Sequence, residues 1–271
     1  MFDNFAGSGA VVTGAAHGIG RALALALASE GCSVVLADLD RDGLQETENL
    51  VTATGASAFT CITDVADPAA VDRLADFAFD QLGAIQILCN NAGIVGPTGN
   101  PVWEIDPEEW SRVFGVNVTG VLNGMRSFLP RMKQLGQSCH VVNTASECGW
   151  VPAPSVPQYF ASKHAVVSLT ESLRLQAADQ YPWLTTTLLC PRLVDTGITE
   201  REKTRIEAAG KESGAAYTAD QAVVAALPKQ TPEFVADCTI DAMRSGKFHV
   251  FPDPASKQTL KDEFDEVLAS I

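Results

Sequence analysis

The sequence predicts an α/β fold built on one doubly wound parallel sheet with helices on both faces. Three observations carry that expectation. Short runs rich in β-branched residues alternate with helical segments through the first 190 residues. Most of these runs are apolar nearly throughout, the mark of strands covered on both faces, rather than apolar at every second position. The first strand passes into the first helix through a turn that carries Gly14, Gly18 and Gly20.

Taken in order, strands are expected over 9–13, 33–37, 58–62, 85–89, 139–144 and 185–190. Helices are expected over 19–30, 42–54, 68–82, 107–135 and 157–179. Such alternation implies right-handed crossovers between parallel strands. Asp67-Pro68 and Asp106-Pro107 each combine an N-cap carboxylate with a first-turn proline, which starts the helices that follow. From 197 to 230 the pattern gives way to a polar, alanine-rich stretch, read as a helical flap over the site; a solvated surface excursion is the alternative. A helix over 231–245, a last strand over 247–251 and a helical tail over 254–271 complete the chain. The spacing leaves no room for a second core, so residues 1–271 read as a single domain.

Of the 271 residues, 46% are hydrophobic and 19% charged, the balance of a folded globular chain. The formal net charge of −14 repels polyphosphate backbones and anionic lipid, so neither a nucleic-acid nor a membrane partner is expected. It leaves room for a small phosphate ligand, because backbone amides at a helix N-terminus bind one locally. The seven cysteines are scattered with no CxxC, and no signal peptide opens the chain. They read as reduced thiols of a cytoplasmic protein. The four histidines form no ligand set, and no metal site is expected.

The glycine turn has the chemistry of a Rossmann-like dinucleotide site. Gly14, Gly18 and Gly20 permit the tight turn and a close approach of backbone to a pyrophosphate, and His17 and Ile19 lie within it. The pyrophosphate would meet the positive end of the helix that begins there. Asp38 closes the second strand 18 residues beyond Gly20, near the spacing of an acid that accepts hydrogen bonds from both ribose hydroxyls. It also repels a 2′-phosphate, and its neighbour Leu39 offers no guanidinium to offset that repulsion. NAD is therefore favoured over NADP. His17 is the residue that argues the other way, and an acidic loop of Asp38, Asp40 and Asp42 is the plainer alternative.

TGAAHGIG (13–20), NNAG (90–93), NVTG (117–120), a strand ending in Ser146, and YFASK (159–163) occur in one register. Together they resemble the short-chain dehydrogenase/reductase family over roughly residues 5–253. On the 157–179 helix Tyr159 and Lys163 are one turn apart and share a face. A phenol titrates near 10, so a base working near neutrality needs its pKa lowered by about three units, or about 4 kcal/mol. A neighbouring ammonium is one source of that stabilisation. Ser146 would hydrogen-bond the substrate oxygen, and Tyr159 would pass the proton.

The resemblance also implies that Lys163 reaches the nicotinamide ribose, and that Asn117 is a fourth catalytic member holding a water. It places Asn91, Ala92 and Gly93 on the adenosine side, Asp64 and Val65 at the adenine, and Val194 and Thr196 at the carboxamide. Asn90 and Asn91 could instead satisfy backbone groups at a strand end. The implied activity interconverts a secondary alcohol and a ketone, in a homotetramer or a homodimer assembled partly through the 107–135 and 157–179 helices. A non-catalytic nucleotide sensor and a nucleotide-sugar epimerase or dehydratase are the competing functions.

One departure from the family pattern is Arg192, where a glycine usually stands. It would either enter the pocket and select an acidic substrate or turn to solvent. Ile94, Val95, Cys148, Trp150, Val151 and Pro152 are candidates for an apolar pocket suited to a bulky cyclic or aryl substrate, with core packing as the alternative for Trp150.

Overall fold

The computed structural model describes residues 2–208 and 227–271. Seven parallel strands form one sheet in the order β3-β2-β1-β4-β5-β6-β7. They are β1 (Gly9–Thr13), β2 (Ser33–Asp38), β3 (Ala58–Ile62), β4 (Ile87–Asn90), β5 (Cys139–Thr144), β6 (Leu184–Leu189) and β7 (His249–Val250). The connecting helices are α1 (Gly18–Ser29), α2 (Arg41–Ala53), α3 (Pro68–Leu82), α4 (Pro107–Phe114), α5 (Gly120–Gln134), α6 (Pro157–Gln180), α7 (Ile198–Ala208), α8 (Pro232–Ser245) and α9 (Ser256–Ala269).

Burial on both faces explains the apolar runs. In β1, Ala10 and Val12 pack with Leu23 and Leu27 of α1 and Val235, Ile240 and Met243 of α8. Val11 between them points the other way, onto Leu74 of α3 and Phe128 and Met132 of α5. Alternating side chains thus serve two separate cores. The caps form where the sequence places them: Asp67 accepts from Ala69 N at 2.9 Å and Asp106 from Glu108 N at 2.9 Å. Thr231 does the same for α8, accepting from Phe234 N at 3.2 Å.

Most boundaries fall within a residue or two of expectation, and several differences are informative. β4 begins at Ile87 rather than 85, because Gln86 is engaged with Gly9 through both its backbone and its side chain. β6 runs one residue earlier than expected at each end. The last strand shrinks from 247–251 to His249–Val250: the Lys247 N–H is taken by the Ala242 carbonyl at the end of α8, and Pro252 follows. The single helix expected over 107–135 is two, joined by a π-helical turn at Gly115–Thr119. Turns of this kind widen the helix and re-aim a side chain; the one it carries inward is Asn117.

The strand order reverses between β1 and β4, and in such sheets ligands bind in the crevice at the carboxyl ends of the strands beside that switch. Gly14, Asp38 and Asn91 all lie there. Of the flap expected over 197–230, residues 209–226 lie outside the described residues. Its first part is α7, and its end returns to the sheet, where Gln230 exchanges backbone hydrogen bonds with Leu193 and Asp195. No helix among the described residues is long and apolar enough to cross a membrane.

Candidate active site

The glycine turn is held from three sides. Gly14 and Gly18 have φ of +67° and +50°, which few other residues tolerate. Gly20 is needed for space, since a Cβ there would lie 2.0 Å from the Gly14 carbonyl oxygen. Arg21, which sequence reasoning passed over, donates through Nε to the Ala16 carbonyl at 3.0 Å and to Thr47 Oγ1 at 3.0 Å, locking the turn to α2. Asp38 accepts from Ala16 N and from Asp40 N, both at 3.1 Å. His17 meets Asp40 Oδ2 at 2.7 Å. Asp40 is held below the usual carboxylate range, first by the Gly43 N–H and then by His17. His17 is therefore engaged by an acid, which weakens it as a phosphate ligand.

Asn91 braces the other wall. Its Nδ2 donates to the Thr13 carbonyl at 3.1 Å, and its backbone N–H to Thr13 Oγ1 at 3.0 Å. Asn90 points away into a buried polar chain, Asn90 Nδ2 to Asn143 Oδ1 at 2.9 Å and Asn143 Nδ2 to Thr170 Oγ1 at 3.0 Å. Asn91 thus satisfies a backbone group of β1, the structural reading left open above, whereas Asn90 pairs with another side chain.

Asn117 is fully buried. Its Oδ1 accepts from Ile94 N at 2.8 Å, and its Nδ2 donates to the Ile94 carbonyl and to Ser162 Oγ, both at 2.9 Å. It ties the π turn to the segment after β4 and to α6.

Ser146 closes β5's C-terminal extension. Its hydroxyl donates to the Pro191 carbonyl at 3.2 Å and accepts from Cys148 N at 3.2 Å. Lys163 is 3% exposed, donates to the Thr144 carbonyl at 2.9 Å, and sits 5.6 Å from the centre of the Tyr159 ring. Burial pulls the Lys163 ammonium down to about 8. Burial also raises the Tyr159 phenol above its ordinary value, with the Ser146 hydroxyl acting in the opposite direction. In the protein alone the ammonium is directed to a backbone carbonyl, and desolvation of the phenolate is the larger effect.

These residues border one cavity of about 360 Å³ at the switch point. Its wall holds Gly14, His17, Gly18, Ile19, Asp38, Leu39, Asp64, Val65, Asn91, Ala92, Gly93, Val194 and Thr196 together with Ser146, Tyr159 and Lys163. Gly20 lies beneath the turn and Asn117 behind the wall. Of the apolar candidates, Ile94 is on the wall. Trp150 turns the other way: its indole N–H donates to Cys190 Sγ at 3.3 Å and its ring packs on His249, Phe251 and Phe264. Arg192 matches neither of its two readings fully. It borders the cavity, but its Nε donates to Glu147 Oε1 at 3.2 Å and its Nη1 lies 3.8 Å from Asp253 Oδ2, so two carboxylates already offset its charge. Arg201 of α7 also reaches the wall. No motif flags it, because it lies in the polar stretch without periodicity.

Residues 8–207 match the family described as short chain dehydrogenase. A 1-deoxy-11-beta-hydroxypentalenate dehydrogenase of Streptomyces exfoliatus is 38% identical over 258 residues, covering 95% of this chain and 87% of that protein. A cyclohexanol dehydrogenase of Acinetobacter sp. (strain SE19) is 34% identical over 180 residues, 66% of this chain and 71% of that one. Among solved structures, a short chain dehydrogenase/reductase from Burkholderia phymatum in complex with NAD is 38% identical with a TM-score of 0.90, covering 99% of this chain and 97% of that one. The chain belongs to the short-chain dehydrogenase/reductase family, whose members here are oxidoreductases.

Proposed function

We propose that this chain is an NAD-dependent dehydrogenase that interconverts a secondary alcohol and a ketone on a bulky, apolar, ring-containing substrate. The observation that carries this reading is one cavity wall that holds Asp38 together with Ser146, Tyr159 and Lys163. A sensor would have no use for the last three. The NAD complex of the Burkholderia relative supports the cofactor, and the cyclohexanol named for the Acinetobacter relative supports a ring alcohol.

The fit to a dinucleotide rests on the turn itself. Gly20 leaves no space for a side chain, Gly14 and Gly18 keep the backbone open to a phosphate, and Asp38 presents a carboxylate at the end of β2. When bound, the nicotinamide accepts or supplies the hydride, and its oxidised ring is cationic. Ser146 holds the substrate oxygen by hydrogen bonding. Tyr159, its phenol raised by burial, is protonated at neutral pH and suited to give a proton to that oxygen during ketone reduction. For alcohol oxidation the phenol must lose its proton, and Lys163 beneath its ring adds positive potential. Asn117 fixes Ile94 at the substrate end of the wall. Residues 1–271 act as one catalytic domain in the cytoplasm, assembled as a homotetramer or homodimer.

The direct test supplies purified protein with NAD and a panel of cyclic, aryl and short acyclic secondary alcohols, following absorbance of the reduced nicotinamide. Turnover of ring alcohols above acyclic ones is expected; retained NAD binding with no turnover across the panel would favour the sensor. Replacing Asp38 with Ala is expected to weaken NAD about 10- to 100-fold, the worth of hydrogen bonds to a charged acceptor, and to narrow the preference over NADP. Titration of both nucleotides checks this, and an unchanged NAD affinity would remove Asp38 from the ribose.

A further inference from the structure

The diphosphate of a dinucleotide faces an adverse field in this protein. The chain carries a net charge of −14, and Asp38, Asp40 and Asp64 all border the cavity. Backbone amides at the start of α1 offset part of that repulsion. The basic side chains on the wall are mostly committed: His17 to Asp40, Arg192 to Glu147 and Asp253, and Lys163 to the Thr144 carbonyl beside Tyr159.

Arg201 differs. Its Nη1 donates to the Thr196 carbonyl at 2.9 Å, and among the described residues it makes no carboxylate pair. Thr196 in turn lies against the glycine turn, since a Cβ on Gly18 would come within 2.8 Å of the Thr196 Cβ. The guanidinium is thus one residue removed from the turn. Burial lowers its pKa, while the fields of Asp38, Asp40 and Glu200 act to raise it. The helix that delivers it is anchored. Glu202, buried on α7, accepts from Arg112 of α4, and Arg205 of α7 donates to both oxygens of buried Glu109 of α4 at 2.9 Å.

We infer that Arg201, delivered by the anchored α7, pairs the cofactor's diphosphate from the α7 side; this rests on the cofactor reading above. A guanidinium with donors to spare suits two adjacent phosphate groups. It also shields the diphosphate from the acids that grip the ribose.

The test titrates NAD, NADP, ADP and adenosine against wild type, Arg201→Gln and Arg201→Lys. Arg201→Gln is expected to weaken NAD and ADP about 10-fold and leave adenosine unchanged, with Arg201→Lys between. The salt dependence of ADP binding should flatten in Arg201→Gln, because one charge contact is gone. The KM for NAD should rise with kcat near wild type. Equal losses for ADP and adenosine, or none for either while wild type binds NAD, would overturn the inference alone. A loss confined to NADP would place Arg201 at a 2′-phosphate and overturn it too. Failure of wild type to bind NAD would remove both this inference and the cofactor reading beneath it.

Discussion

Tyr159→Phe is expected to lower kcat by about 10²- to 10⁴-fold, the usual worth of a positioned proton donor or acceptor. The substitution removes one oxygen and keeps the ring, so the 5.6 Å contact with Lys163 Nζ and the packing of α6 survive. NAD affinity should stay within a few-fold of wild type. Ser146→Ala is the companion: loss of one donor to a developing alkoxide costs about 10²- to 10³-fold. The two should fall short of additive when combined, because both act on the same substrate oxygen. The pH profile adds a second readout. With the phenol raised by burial, alcohol oxidation should rise through the alkaline range as Tyr159 ionises. Ketone reduction should hold up at neutral pH, where the phenol keeps its proton. A Tyr159→Phe enzyme that turns over its substrate at the wild-type rate would end the catalytic reading of this site.

What was legible in the sequence follows from what physics writes locally. Strands buried on both faces are mostly apolar, so β1 and β2 appear as nearly unbroken apolar runs. Asp67-Pro68 and Asp106-Pro107 announce helix starts because a cap and a fixed φ act within four residues. The glycines of the turn are legible for the same reason. The π turn at Gly115–Thr119 is not, since a helix and a helix with one widened turn share the same apolar face. Only the buried hydrogen bonds from Asn117 to Ile94 and Ser162 distinguish them, and these join segments 23 and 45 residues apart. Arg201 was invisible because its reach depends on where α7 docks, which the Glu109–Arg205 and Arg112–Glu202 pairs decide across some 90 residues. The phenol's ionisation is likewise a property of burial rather than of spacing: one helical turn places Lys163 beside Tyr159, but not its ammonium against the oxygen.

Acid should destabilise this fold through His140 well before the pH at which its imidazole finally titrates. His140 is 1% exposed in the middle of the sheet, with Nδ1 2.8 Å from Thr185 Oγ1 and Nε2 3.0 Å from Thr187 Oγ1. Two hydroxyls can serve a neutral ring, one accepting and one donating, but neither offsets a buried positive charge. Burial accordingly pulls its pKa from 6.5 down to about 3. A base depressed in the folded state binds its proton only on unfolding, so its stabilisation is complete above about pH 6.5 and drains away as the pH falls towards 3. At about 1.4 kcal/mol per pH unit, roughly 2 kcal/mol is lost between pH 7 and 5, and about 4 kcal/mol by pH 3.5. Carboxylates held low by arginines, such as Glu109, add their own acid loss, so wild type alone does not isolate the histidine. His140→Gln does: its amide can still donate and accept between the two threonines, and it does not titrate. Urea unfolding at fixed protein concentration should find the variant less stable at pH 7 by about 1 kcal/mol, from imperfect fit. The difference should then shrink steadily below pH 6.5 and change sign between about pH 6 and pH 5.5. Parallel stability curves for the two proteins would mean that the ring takes up its proton inside the folded sheet, and that the pair of threonines can carry a charge the geometry gives them no means to balance.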